Sequence, residues 1–110
     1  MRSNTKDARA RDVKVTENAL TIELYDGRVI GVPLAWYPRL KHGTCKERNN
    51  WELIADGYGI HWPDLDEDLS VEGILAGRRS MEGPRSFKRW LESRSKMAMT
   101  GKAKLAGKSV

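Results

Sequence analysis

Apolar and polar residues alternate through Leu20-Thr21-Ile22-Glu23-Leu24-Tyr25. A period of two puts the apolar side chains on one face of a strand, so this stretch predicts a half-buried strand. Val13 and Val15, separated by Lys14, predict a short edge strand before it. Asp26-Gly27 marks a turn, and Arg28-Val29-Ile30-Gly31-Val32 is the return strand, closed by Pro33. The pattern also selects the hairpin register. A two-residue Asp-Gly loop would set Ile22 against Gly31 and Ile30 against Glu23. A three-residue loop, Tyr25-Asp26-Gly27, sets Ile22 against Ile30 and Leu20 against Val32, and it leaves Gly27 where a left-handed residue is wanted. One buried face must collect the apolar residues, so the longer loop is expected.

Beyond Pro33 the period changes. In Leu34-Ala35-Trp36-Tyr37-Pro38-Arg39-Leu40, Pro38 permits only a short helical turn, which Gly43 ends. Thr44-Cys45-Lys46-Glu47 has the residues of a capping box and predicts a short helix to about Asn50. Trp51-Glu52-Leu53-Ile54-Ala55 reads as a strand, Asp56-Gly57-Tyr58-Gly59 as its turn and Ile60-His61-Trp62 as its return. Pro63 stops the ladder. An acidic turn leads to a helix capped by Asp68 or Ser70, with Val71, Ile74 and Leu75 on its apolar side and Gly77 at its end. The elements predict one α+β domain: a small antiparallel sheet with two or three short helices, followed by a basic C-terminal extension.

Charge divides the chain at the same place. The 110 residues carry +5 in all, of which residues 1–77 hold −3 and residues 78–110 hold +8. The expected organisation is a disordered segment at 1–11, the domain at 12–77, and a tail at 78–110 with a helix over 86–97. The last dozen residues are rich in Lys, Gly, Ala and Met and suit a disordered end. No apolar run is long enough for a membrane span, and the first residues lack the apolar stretch of a signal peptide. With Cys45 as the single cysteine, no internal disulfide can form, and a cytoplasmic location is expected.

Several clusters match one family pattern: Leu24-Tyr25-Asp26-Gly27-Arg28, Val32-Pro33-Leu34, Trp36-Tyr37-Pro38-Arg39-Leu40, Thr44, Glu47-Arg48, Trp51, and the run from Gly59 to Ser70 that contains His61-Trp62-Pro63-Asp64-Leu65-Asp66-Glu67-Asp68. Over about residues 13–77 the chain resembles the domain-of-unknown-function family 2442 (DUF2442), a compact bacterial α+β domain. The resemblance implies no activity that can be carried to particular residues. Members are often encoded beside another short protein, in a pattern like that of toxin–antitoxin pairs. That implies a protein partner, possible from a neighbouring gene, and an interaction role.

Candidate chemistry adds little to this picture. Asp64, Asp66 and Asp68 have the first carboxylate spacings of a calcium loop. However, Leu69 stands where the glycine belongs and Leu75 where the bidentate Glu belongs. His42 and Cys45 form a lone pair of metal-type donors, with only His61 as a further strong one. Cys45 with His61 as base has no oxyanion hole suggested around it. Gly57 and Gly59 are explained by turn chemistry and do not form a phosphate-binding loop. No catalytic residue, metal or cofactor is therefore expected.

His61 and Trp62 point to opposite faces of their strand. One of the two belongs to the core: an exposed Trp62 would be a partner site, with Trp36 as the second such candidate, whereas the other reading places Trp62, Trp36 and Trp51 in the core. In the tail, Arg78, Arg79, Arg85, Lys88, Arg89, Arg94 and Lys96 flank Phe87 and Trp90. Cations can meet phosphates while rings stack on bases, or Phe87, Trp90 and Leu91 can dock the helix on the domain. The expected function is a non-enzymatic protein-interaction module, antitoxin-like or adaptor. Its partner would meet an edge strand or an exposed aromatic face. Nucleic-acid binding through the tail is the alternative.

Overall fold

The computed structural model describes residues 8–95, which fall into two compact units divided between Ser80 and Met81. In the first unit, β1 (Ala10–Val15), β2 (Ala19–Leu24) and β3 (Val29–Pro33) form an antiparallel sheet in the order β1-β2-β3. Two short helices follow, α1 (Pro38–His42) and α2 (Cys45–Asn49). A second antiparallel sheet, β4-β5-β6, is built from Glu52–Ile54, Gly59–Trp62 and Glu67–Ser70, and α3 (Val71–Leu75) follows it. In the second unit, residues 84–95 are helical (α4). The architecture is α+β, with two three-stranded sheets in place of the single small sheet expected.

The register read from the alternation is the one present: Leu20 pairs with Val32 and Ile22 with Ile30. Gly27 sits at φ 96°, and its N–H donates to the Leu24 carbonyl at 3.0 Å. A side chain there would be strained, which is why glycine closes the three-residue loop. The Asp26 carboxylate accepts from the backbone N–H of Arg28 at 3.0 Å and from its Nε at 2.7 Å. Those bonds, the backbone one foremost, hold its pKa below the ordinary value.

The inner face of the first sheet buries Ala10, Val13, Val15, Leu20, Ile22, Leu24 and Val32. The β5 residues Ile60 and Trp62 are buried too, with Leu34, Tyr37, Leu40, Leu65, Val71 and Ile74. Burial of each large side chain contributes roughly 1.5–3 kcal/mol, so these residues dominate the stability of the unit.

Both ends of the domain lie outside the expected limits. Strand β1 starts at Ala10, inside the segment read as disordered, because Ala10 is buried and pairs with Leu24. At the other end Gly77, at φ 76°, closes α3: its N–H donates to Ile74 and that of Arg78 donates to Gly73. The chain then continues in contact. The buried Tyr37 hydroxyl donates to the Arg78 carbonyl at 3.2 Å, and the Ser80 N–H donates to the Trp36 carbonyl at 3.1 Å.

Strand β6 was not legible. Its residues read as an acidic turn running into a helix cap at Asp68 or Ser70, yet they pair with β5 from Trp62 back to Gly59, while Ser70 also caps α3 by accepting the Gly73 N–H. Only Leu69 marks the inward face, so three polar neighbours hid the alternation. The expected disorder of residues 1–7 and of the last dozen concerns positions outside the described residues.

Candidate interaction site

The residues of the family-like clusters mostly serve the fold. Thr44 and Glu47 form the reciprocal capping box at the start of α2. Arg48 donates to the carbonyls of Leu40 and Lys41 at 2.9 and 2.6 Å, satisfying acceptors left over at the end of α1. Its own carbonyl accepts the Trp62 indole N–H at 3.0 Å. Arg39 donates to the Asp66 carbonyl at 2.8 Å, and Asn50 donates to the Asp64 carboxylate at 2.8 Å, so the turn at 63–66 is held from two sides. Leu65 fills the space beside Gly43, where an added Cβ would lie 2.9 Å from a Leu65 methyl.

This overturns one surface candidate. Trp62 is fully buried, with its one polar atom satisfied, and offers nothing to a partner. Trp36 is half-buried, with the Arg79 guanidinium 4.9 Å from its ring centroid. A predicted partner residue and a predicted nucleic-acid residue thus engage each other.

The possible chemistry is equally occupied. His61 Nδ1 bonds Asp68 across the β5–β6 pair, and this bond raises the histidine's pKa above its ordinary value. The Cys45 sulfur accepts from Asn49 at 3.4 Å. Among the described residues no group of three His, Cys, Asp or Glu side chains stands close enough to hold a metal ion.

In α4, Phe87 and Trp90 stack with centroids 5.6 Å apart, and Arg94 lies 4.8 Å from the Trp90 ring centroid. Phe87, Trp90, Leu91 and Arg94 are half-buried, whereas Arg85, Lys88 and Arg89 are exposed. At 3.6 residues per turn these two sets occupy opposite sides of the helix. Arg78 is also an exposed residue, while Lys96 lies outside the described residues. No helix among the described residues is long and apolar enough to cross a membrane.

What remains open is an edge. In strand β1 Arg11, Asp12 and Lys14 are exposed, and a bulge interrupts its pairing between Ala10 and Asp12. Strand β4 has three residues, and β6 carries Glu67 and Asp68. Charges, bulges, shortness and proline are the usual protections of a sheet edge, and of these β3 has only Pro33, at its end. Strand β3, Val-Ile-Gly-Val-Pro, has no charge and no bulge, and its Val29 is 65% exposed. Its hydrogen-bond phase follows from the bonds at its two ends, Leu24 N–H to Arg28 and Leu34 N–H to Asn18. Because bonded and non-bonded pairs alternate in an antiparallel ladder, Ile30 and Val32 bond β2. Val29, Gly31 and Pro33 direct their backbone groups away from it, and Pro33 lacks only the N–H.

The family model described as "Protein of unknown function (DUF2442)" matches residues 10–80. The chain belongs to the DUF2442 family. The matched span coincides with the first unit, from the start of β1 to the Ser80 contact. A crystal structure of a protein of unknown function from Rhodospirillum rubrum is similar, at 26% identity and a TM-score of 0.60, covering 67% of this chain and 92% of that one. A solution NMR structure of an uncharacterized protein from Chromobacterium violaceum shares the fold, at 24% identity and a TM-score of 0.57, covering 66% of this chain and 68% of that one. No curated protein matches the chain in sequence.

Sequence reasoning named the strand that holds this DUF2442 domain's open edge but not the edge itself. The available signal was the absence of charge across five consecutive residues, in a chain where 32% of residues are charged.

Proposed function

We propose that this DUF2442 domain is a non-enzymatic interaction module that adds a protein strand to the edge of β3. The observation that supports it is the contrast among the edges of the described strands: three carry charge, a bulge or shortness, whereas β3 carries only the proline at its end, Pro33. Strand addition draws its affinity from main-chain hydrogen bonds, and Val29 and Gly31 present both donor and acceptor outward. The side chains that would serve catalysis are engaged structurally, His61 with Asp68 and Cys45 with Asn49. An antitoxin-like or adaptor role in a bacterial gene pair fits such a module.

The test is co-expression with the product of the adjacent gene. A complex that survives purification and is lost in Val29→Lys supports the reading. A complex indifferent to Val29→Lys places binding elsewhere and rejects the edge.

Nucleic-acid binding is the second reading, supported by the exposed Arg85, Lys88 and Arg89 on one side of α4. Such binding would be electrostatic and would weaken steeply with salt. The support comes from the cations and not from Trp90, whose ring is already in contact with Phe87 and Arg94.

A further inference from the structure

We infer that the strand received at β3 is the β3 strand of a second copy of this chain, paired antiparallel about a two-fold axis through Gly31. The inference rests on the interaction reading above and names its occupant.

The pattern about Gly31 favours this occupant, because the uncharged strand is self-complementary there: Val29 and Ile30 on one side match Pro33 and Val32 on the other. Gly31 lies in the interior of a strand, where glycine weakens structure and often marks the close approach of another backbone. Nothing among the described residues requires it. Its φ is not in the left-handed range, and an added Cβ would meet only the Thr21 hydroxyl oxygen, at 3.9 Å. The domain therefore has room for a side chain at 31 and does not use it.

Two-fold pairing gives the glycine a role. Gly31 then faces Gly31 of the second copy, and each N–H donates to the other's carbonyl. Val29 faces Pro33, so the Val29 N–H donates to the Pro33 carbonyl, and the missing proline N–H removes only one bond from each end. Four new backbone bonds result, all from groups that β2 leaves unused. On the inner face Ile30 meets Val32, extending the apolar surface of one sheet into the other. On the outer face the exposed Val29 covers the exposed Pro33 beside the hollow left by the paired glycines. The strand is uncharged throughout, so no like charges oppose each other across the axis. Such an interface is isologous, the commonest form of closed assembly.

The experiment is a charge swap at the axis, read by sedimentation equilibrium of the full chain from micromolar to millimolar concentration. The native chain is expected to dimerise. Gly31→Lys places Lys against Lys and Gly31→Glu places Glu against Glu, and each should weaken dimerisation by roughly fivefold or more. An equimolar mixture of the two variants should recover it, because opposite charges then meet. Amide exchange provides the second measurement. The Val29 and Gly31 amides should gain protection as concentration rises, while those of Ile30 and Val32 are protected throughout. A native chain that stays monomeric overturns the proposal, as does a dimer insensitive to both variants or a mixture without recovery. If the chain is monomeric and an adjacent-gene product protects the Val29 and Gly31 amides, the second-copy inference fails while the edge reading stands.

Discussion

The turn at 63–66 and the edge of β3 use their polar groups in opposite ways. Around the turn, donors are turned inward and matched: Arg39 to Asp66, Asn50 to Asp64, Trp62 to Arg48, Arg48 to the end of α1. At β3 the backbone groups of Val29 and Gly31 point outward from the sheet, in a strand without charge. The turn carries the densest family pattern and spends it on architecture. The edge carries a shorter part of the pattern, Val32 and Pro33, and leaves backbone groups directed away from β2. The run that carries most of the family pattern thus serves the architecture of the domain.

The sharpest way to break this comparison is Trp62→Ala. If Trp62 is a core residue it should cost about 3–5 kcal/mol, measured by urea unfolding. A loss below ~1 kcal/mol, typical of surface positions, would return the indole to the surface. Gly43→Ala tests the same region through space. The new methyl collides with Leu65, and about 1–3 kcal/mol should be lost as the turn shifts.

Chain length tests where the matched region ends. A chain ending at Gly77 removes the Arg78 carbonyl that accepts from buried Tyr37 and the N–H that completes the α3 cap. It should be less stable than one ending at Ser80 by roughly 1–3 kcal/mol, the cost of leaving a buried polar group unmatched. Equal melting curves would place the boundary at Gly77, as the composition suggested.

Val29→Lys is the counterpart at the edge. Its effect on the stability of the dissociated chain should stay within about 0.5 kcal/mol, as at ordinary surface positions. A large loss would mean that Val29 supports the domain itself, and the contrast between the regions would collapse.

The smallest effect belongs to His61. Its pKa is raised in the folded chain by the bond to Asp68, so folding favours the protonated ring. That contribution is fully present below the unfolded value of about 6.5 and is lost as pH rises through the higher folded value. The melting temperature should fall slightly across that window at low salt, and Asp68→Asn should flatten the slope. The opposite slope, attributable to His61 by its absence in His61→Gln, would contradict the bond's direction.

Local signals determined much of this protein. The alternation in β2 and β3, with Gly27 as the only residue suited to the left-handed turn position, set the hairpin register. Thr44 and Glu47 set a helix start. Each depends on residues a short distance apart, so each can be read along the chain. What required the tertiary structure depends on residues far apart. Strand β6 exists because β5 offers it a ladder, and its own residues scarcely alternate. The orientation of Trp62 was ambiguous until the Arg48 carbonyl, 14 residues away, received its N–H. The open edge is a property of strand order, since β2 lies between β1 and β3 and, among the described residues, no strand pairs with the other side of β3. Periodicity states which face of a strand is apolar, but which edge is left without a neighbour is decided only when all the strands have been placed.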